Sequence, residues 1–135
     1  MQNKKSKPAT SGPKILVVED DVTMREIVAQ ELKKNNFWVV EAENGKKAIE
    51  LWEKEKPDLI LLDLMLPEMD GFSVLQKIHD EKKTDLPLVI MLTNLSQKDD
   101  TERGMRLGAD DYVVKAHFTP SEVVEKVRKL LAKKK

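Results

Sequence analysis

The chain has 135 residues, with 24 Lys+Arg against 24 Asp+Glu for a formal net charge of +0, so a single domain is expected from its length. With no cysteine, a disulfide-stapled secreted scaffold and a thiolate zinc site are excluded. The balanced charge argues against direct nucleic acid binding through phosphate contacts, and 40% hydrophobic with 36% charged residues is the makeup of a globular chain rather than a disordered one.

No segment approaches the roughly 18 consecutive apolar residues of a membrane helix; Leu59 to Leu62 is typical of the longest runs. Lys4, Lys5 and Lys7 are followed by Pro8-Ala9-Thr10-Ser11-Gly12-Pro13 and not by an apolar core, so no secretory signal is read. The expected location is the cytoplasm, without membrane contact. Residues 1–13 read as a disordered tail and 14–132 as the folded domain. Residues 133–135 (Lys133-Lys134-Lys135) read as a basic end, favourable at a helix C-terminus.

Between the ends, short apolar runs alternate with amphipathic stretches. Lys14-Ile15-Leu16-Val17-Val18 predicts a buried strand. Asp21 to Lys34, with Val22, Ile27, Val28 and Leu32 near helical spacing, predicts the first helix. Phe37 to Val40 is strand two. Asn44-Gly45 is a turn, and Lys46 to Lys56 is helix two, with Ala48, Ile49 and Trp52 inward. Asp58 to Leu62 is strand three. Asp70 to Lys83 is helix three, with Val74, Leu75 and Ile78 inward, and Leu86 to Leu92 is strand four. Ser96 to Leu107 is a weakly apolar helix four whose stripe is little more than Met105 and Leu107, stopped by Gly108. Asp111 to Val114 is strand five. Thr119-Pro120-Ser121-Glu122 carries an N-cap, a first-turn proline and a capping-box glutamate, opening helix five to about Ala132, with Val123, Val124, Val127, Leu130 and Leu131 inward.

Five βα units with continuously apolar strands imply an α/β domain, a parallel sheet covered on both faces, whose chemistry lies beyond the carboxyl ends of the strands. Strand one ends in Glu19-Asp20-Asp21, strand three in Asp63, strand four in Thr93 and strand five in Lys115. Taken singly, each has an ordinary reading: a turn or cap for Asp63 and for Glu19 to Asp21, a surface position for Lys115, a strand end for Thr93. Together they bring several carboxylates, a lysine and a hydroxyl to one sheet edge. Crowded carboxylates repel unless a cation intervenes, and an oxygen-only, partly open site suits Mg²⁺. Cation, lysine and hydroxyl around one carboxylate form a receiver for a phosphoryl group.

The segments Ile15 to Asp21, Asp58 to Gly71, Pro87 to Thr93 and Gly108 to Lys115 resemble the receiver domains of two-component response regulators, the CheY-like family. The resemblance covers about Lys14 to Leu131 and implies a single-domain (βα)5 flavodoxin-like fold with strand order 2-1-3-4-5. It implies that Asp63 is the phospho-acceptor, that Asp20 binds Mg²⁺ directly and Glu19 more through water, and that Met65 offers its backbone carbonyl to the metal. It further implies that Thr93 and Tyr112 form the switch, that Lys115 pairs with the phosphate, and that Pro67 and Gly71 shape the loop. The expected donor is a histidine kinase or histidine phosphotransfer protein. The expected output is a downstream effector reading the face of helix four, strand five and helix five, on a monomer or a phosphorylation-dependent dimer. The domain is expected to signal rather than act as an enzyme on other substrates. The residues two past Asp63 and two past Thr93, Met65 and Leu95, are apolar, which implies slow self-dephosphorylation.

One departure stands out: the family's proline after the lysine is replaced by Lys115-Ala116-His117-Phe118, with one residue inserted. A cis bond before Ala116 costs roughly 2.5–4 kcal/mol, against about 0.5–1 before proline. Either that bond is cis or the extra residue lets a trans turn place Lys115. His117 is expected to be an exposed loop residue. The rival readings are a degenerate receiver acting as a phosphorylation-independent adaptor and a flavodoxin-like cofactor binder. The acids of Glu19 to Asp21 stand where a flavodoxin needs a phosphate-binding loop. A haloacid-dehalogenase-like phosphatase lacks its second acid, because Leu64 and Met65 follow Asp63.

Overall fold

The structure, a computed structural model, describes residues 12–80, 86–94 and 98–134. Most of the expected tail, the last residues assigned to helix three (Glu81 to Lys83), the start of helix four (Ser96, Gln97) and Leu95 lie outside the described residues.

Five βα units follow one another: β1 (Lys14–Val18), α1 (Val22–Lys34), β2 (Trp38–Ala42), α2 (Gly45–Glu55), β3 (Leu59–Asp63), α3 (Gly71–Asp80), β4 (Leu88–Thr93), α4 (Lys98–Arg106), β5 (Asp111–Val114) and α5 (Pro120–Lys134). All pairings are parallel, in the order β2-β1-β3-β4-β5. Strand apolarity is continuous because both faces are covered. Leu16, Val18, Ile60, Leu62, Val89 and Met91 pack with Ala48, Trp52, Val74 and Ile78 of α2 and α3. The alternate residues Ile15, Val17, Leu59, Leu61, Ile90 and Leu92 pack with Val28 and Leu32 of α1 and Val123, Val124 and Val127 of α5. Period-two alternation within each run thus divides one apolar strand between two cores.

The helix starts follow local chemistry. Asp21 accepts from the Met24 N–H at 3.0 Å and Asn44 from the Lys47 N–H at 2.7 Å. At α5 the capping box closes both ways, with Thr119 N–H donating to Glu122 Oε1 at 2.8 Å and Glu122 N–H to Thr119 Oγ1 at 3.3 Å. Helix α5 continues to Lys134, past the expected end near Ala132.

Two helix faces differ from expectation. On α1, Val22 is 56% and Ile27 49% exposed, while Val28, Ala29 and Leu32 are buried. Ile27 stands about 100° round the helix from Val28, which turns it off the sheet, and Val22 is the first helical residue, beside the exposed cap. On α4, Met105 is 40% exposed and the one buried residue among those described is Gly104. A Cβ on Gly104 would lie 2.0 Å from Met91 Sδ, so α4 meets β4 through bare backbone. Met91 is itself fully buried and has little room to turn aside. Gly104→Ala is therefore expected to cost about 1–3 kcal/mol by overpacking, read as a lower urea midpoint; an unchanged midpoint would mean that Met91 can move.

Candidate functional site

Register delivers the polar residues to one edge. β1 pairs Val18 with Leu62, β3 pairs Asp63 with Leu92, and β4 pairs Thr93 with Val114. The residues that follow β1, end β3 and β4, and follow β5 therefore share the carboxyl rim.

Asp63 is 2% exposed. Its Oδ1 accepts from the Met65 N–H at 3.0 Å, and its Oδ2 lies 3.1 Å from Lys115 Nζ. Glu19 is fully buried, with Oε2 accepting from the Asp21 N–H at 3.1 Å. Its Oε1 lies 3.0 Å from Lys115 Nζ but has no aligned hydrogen bond among the described residues, so this oxygen has a Coulombic neighbour only. Asp20 is exposed, and one ligand atom from each of Glu19, Asp20 and Asp63 lies within 4.8 Å of the others.

Burial of this crowd shifts its protons. Burial raises the Glu19 carboxyl, the Asp21 N–H lowers it, and Asp63 raises it again by hydrogen bonding and by charge; with Lys115 opposing, it is pushed up to about 7. For Lys115, burial lowers the ammonium, but the ion pair with Glu19 and the Asp63 carboxylate outweigh it, leaving the group raised. Three convergent carboxylates, one with an orphaned buried oxygen, outnumber the lysine that faces them and leave negative charge in excess. An oxygen-only donor set of this kind fits a hard divalent cation.

The residue order around Lys115 resolves the departure noted in the sequence. The described residues contain no cis peptide bond, so the trans alternative holds. The Lys115 N–H donates to Thr93 O at 2.7 Å, extending the strand ladder by one residue. The His117 N–H then donates to Val114 O at 3.0 Å, closing a turn over Lys115 and Ala116. The inserted residue thus supplies a turn where the family uses proline, and His117 is exposed.

After β3, Met69 N–H donates to Pro67 O at 2.8 Å and Gly71 N–H to Leu64 O at 3.1 Å, folding the loop back over the strand end. A Cβ on Gly71 would stand 2.6 Å from Asp63 O and from Leu64 Cα, so only glycine allows this close approach. The Met65 side chain is 56% exposed at the rim. Thr93 is buried, with its hydroxyl 3.5 Å from Val113 O. Tyr112 is 42% exposed, beside a groove of about 560 Å³ between α4 and β5 lined in part by Thr93, Thr101 and Met105.

The rim also holds a residue not singled out from the sequence. Arg25, in the first turns of α1, donates from Nη1 to Glu19 O at 2.7 Å and from Nε to Glu41 Oε1 on β2 at 3.2 Å. Its only sequence signal is a position four residues after the Asp21 cap, which places it one turn up the same helix face.

The chain is similar to known proteins over almost all of this architecture. Residues 15–128 match the response regulator receiver domain family. The protein named probable transcriptional regulator ycf27 from Guillardia theta is 42% identical over 118 residues, which is 87% of this chain and 45% of that protein; the chain spans about half the length of the curated relatives it matches. The receiver domain of Francisella response regulator 1452 superposes with a TM-score of 0.83 at 29% identity, covering 92% of this chain and 100% of that one. The BeF3-activated N-terminal receiver domain of Klebsiella pneumoniae RstA superposes with a TM-score of 0.76 at 32% identity, covering 85% and 95%. Sheet order, carboxylate rim and sequence agree, and the chain belongs to the response regulator receiver domain family of two-component systems.

Proposed function

We propose that the domain accepts a phosphoryl group on Asp63 from the phosphohistidine of a histidine kinase or phosphotransfer protein in the cytoplasm. The observation that carries this reading is the placement of Asp63: it ends β3, one oxygen held by the Met65 N–H and the other 3.1 Å from Lys115 Nζ, beside Glu19 and Asp20. Asp63 attacks phosphorus, the donor P–N bond breaks and an acyl phosphate forms. Lys115 neutralises carboxylate charge before transfer and pairs with the phosphoryl oxygens after it. Its placement by the trans turn, 3.1 Å from Asp63, supports the acceptor reading over the adaptor one.

Glu19, Asp20, Asp63 and the Met65 carbonyl would hold Mg²⁺, which supplies positive charge for the carboxylates and the incoming phosphoryl oxygens. Thr93 then turns its hydroxyl toward the phosphoryl group, and the Tyr112 ring turns into the groove between α4 and β5. That groove and the α4 contact through Gly104 support a movable α4-β5-α5 face read by an effector or a second receiver. Met65 offers no side-chain group to orient water, so the acyl phosphate persists. Met65→Asn is expected to shorten its lifetime, measured as decay of labelled protein; an unchanged lifetime would exclude this role.

Incubation with acetyl phosphate and Mg²⁺ is expected to add one phosphoryl group by intact mass, and a chelator to prevent it. No adduct, or an adduct indifferent to the chelator, would overturn the proposal. Asp20→Ala is expected to weaken Mg²⁺ binding roughly tenfold or more, about 1.4 kcal/mol, and Glu19→Ala by less. The Asp20 carboxylate has no partner among the described residues, while Glu19 is engaged by Lys115 and the Asp21 N–H. Calorimetric titration decides the order.

A further inference from the structure

Arg25 is 16% exposed and its guanidinium is committed at two places, the Glu19 carbonyl and the Glu41 carboxylate. Glu19 leaves the β1 ladder with its N–H still donating to Ala42 O at 3.0 Å, while its carbonyl takes the arginine instead of a strand amide. Arg25 grips the same turn again through its backbone, its N–H donating to Asp21 O at 2.9 Å. The peptide unit joining Glu19 to Asp20 is therefore held at its carbonyl by the guanidinium. Fixing that plane fixes ψ of Glu19 and φ of Asp20, and with them the direction in which the Asp20 Cβ leaves the chain. Among the described residues no hydrogen bond or ion pair holds the Asp20 carboxylate itself, so the Cα–Cβ direction set by the backbone is the constraint on its placement.

Resting on the cation-site reading above, we propose that Arg25 is a positioning residue for the carboxylate rim: bridged between Glu19 O and Glu41, it aims Asp20 at the point where Glu19 and Asp63 converge. The planar guanidinium suits this task because two of its N–H groups leave in fixed directions, one for the turn and one for β2; an ammonium has no such fixed fork. Glu41 serves as the far anchor, tying the turn to the edge strand.

A competing role is purely Coulombic, and it predicts opposite signs. A guanidinium near a cation site repels the cation, so removing only its charge would tighten binding, and keeping its charge would change nothing. The test measures Mg²⁺ dissociation constants by calorimetry for the whole chain, for Arg25→Lys and for Arg25→Met, with the water-proton relaxation of bound Mn²⁺ as a spectroscopic signature of the ligand set. Positioning predicts about tenfold weaker Mg²⁺ binding in both variants, the size typical of residues that orient metal ligands, and an altered Mn²⁺ relaxation. Unchanged affinity in Arg25→Lys, or tighter binding in Arg25→Met, overturns the inference. Should Arg25→Met lose its fold by circular dichroism, Arg25→Lys decides alone. If the parent binds neither ion, the cation-site reading falls and this inference with it; if the parent binds and Arg25→Lys matches it, only the role of Arg25 falls.

Discussion

Asp63→Asn is expected to take up no phosphoryl group from acetyl phosphate and Mg²⁺, while keeping its fold. The amide is nearly isosteric with the carboxylate, and its carbonyl oxygen can still accept from the Met65 N–H, now 3.0 Å from Oδ1. What it lacks is a charged oxygen to attack phosphorus, so the loss is complete rather than partial. The rest of the rim tolerates the change: Lys115 retains Glu19 at 3.0 Å, and one of three crowded carboxylates is gone. Stability in the absence of metal is therefore expected to hold or rise, with an unchanged circular dichroism spectrum. Intact mass after incubation is the measurement. A full adduct on the variant would remove Asp63 from the acceptor role, and an unfolded variant would show that its hydrogen bonds outweigh the repulsion.

Glu19→Gln is expected to alter the dependence of stability on pH in the metal-free protein. The folded carboxyl keeps its proton up to about 7, whereas its ordinary value is 4.5. Between those limits the folded chain binds more protons than the unfolded chain, so raising the pH favours unfolding. The carboxyl therefore lowers stability progressively from about pH 4.5 to 7 by about 3 kcal/mol, and Glu19→Gln, which cannot ionise, escapes that loss. Lys115, raised above its ordinary 10.5, contributes stability that is lost only at more alkaline pH and leaves this window unaffected. Urea unfolding at a series of pH values should show the variant gaining on the parent as pH rises through the window. A constant difference between the two would refute the assignment of the buried proton to Glu19.

Much of this protein is legible in its sequence because the signals are local. Continuous runs such as Leu59 to Leu62 announce strands buried on both faces, and Thr119-Pro120-Ser121-Glu122 announces a helix start through bonds spanning three residues. The acids and lysine at strand ends need only the rule that parallel strands share a carboxyl rim, so Glu19, Asp20, Asp63 and Lys115 could be named before any contact was known. Tertiary packing decided the rest, because it depends on how elements approach one another. Periodicity included Ile27 in the helix-one stripe, yet the angle at which α1 lies on the sheet turns it to solvent. On α4 the apolar Met105 is exposed, and the contact with the sheet is made by Gly104, whose contribution is the absence of a side chain against Met91. Lys115 reaches Glu19 and Asp63 through a turn that neither cis-bond costs nor composition could choose in advance, since the choice rests on the His117 N–H finding Val114 O. The elevation of the Glu19 carboxyl and the bridge of Arg25 from Glu19 to Glu41 arise only once β1, β2, β3 and β5 stand side by side. Residue type sets which groups can ionise or donate, and the fold alone sets which of them are buried together.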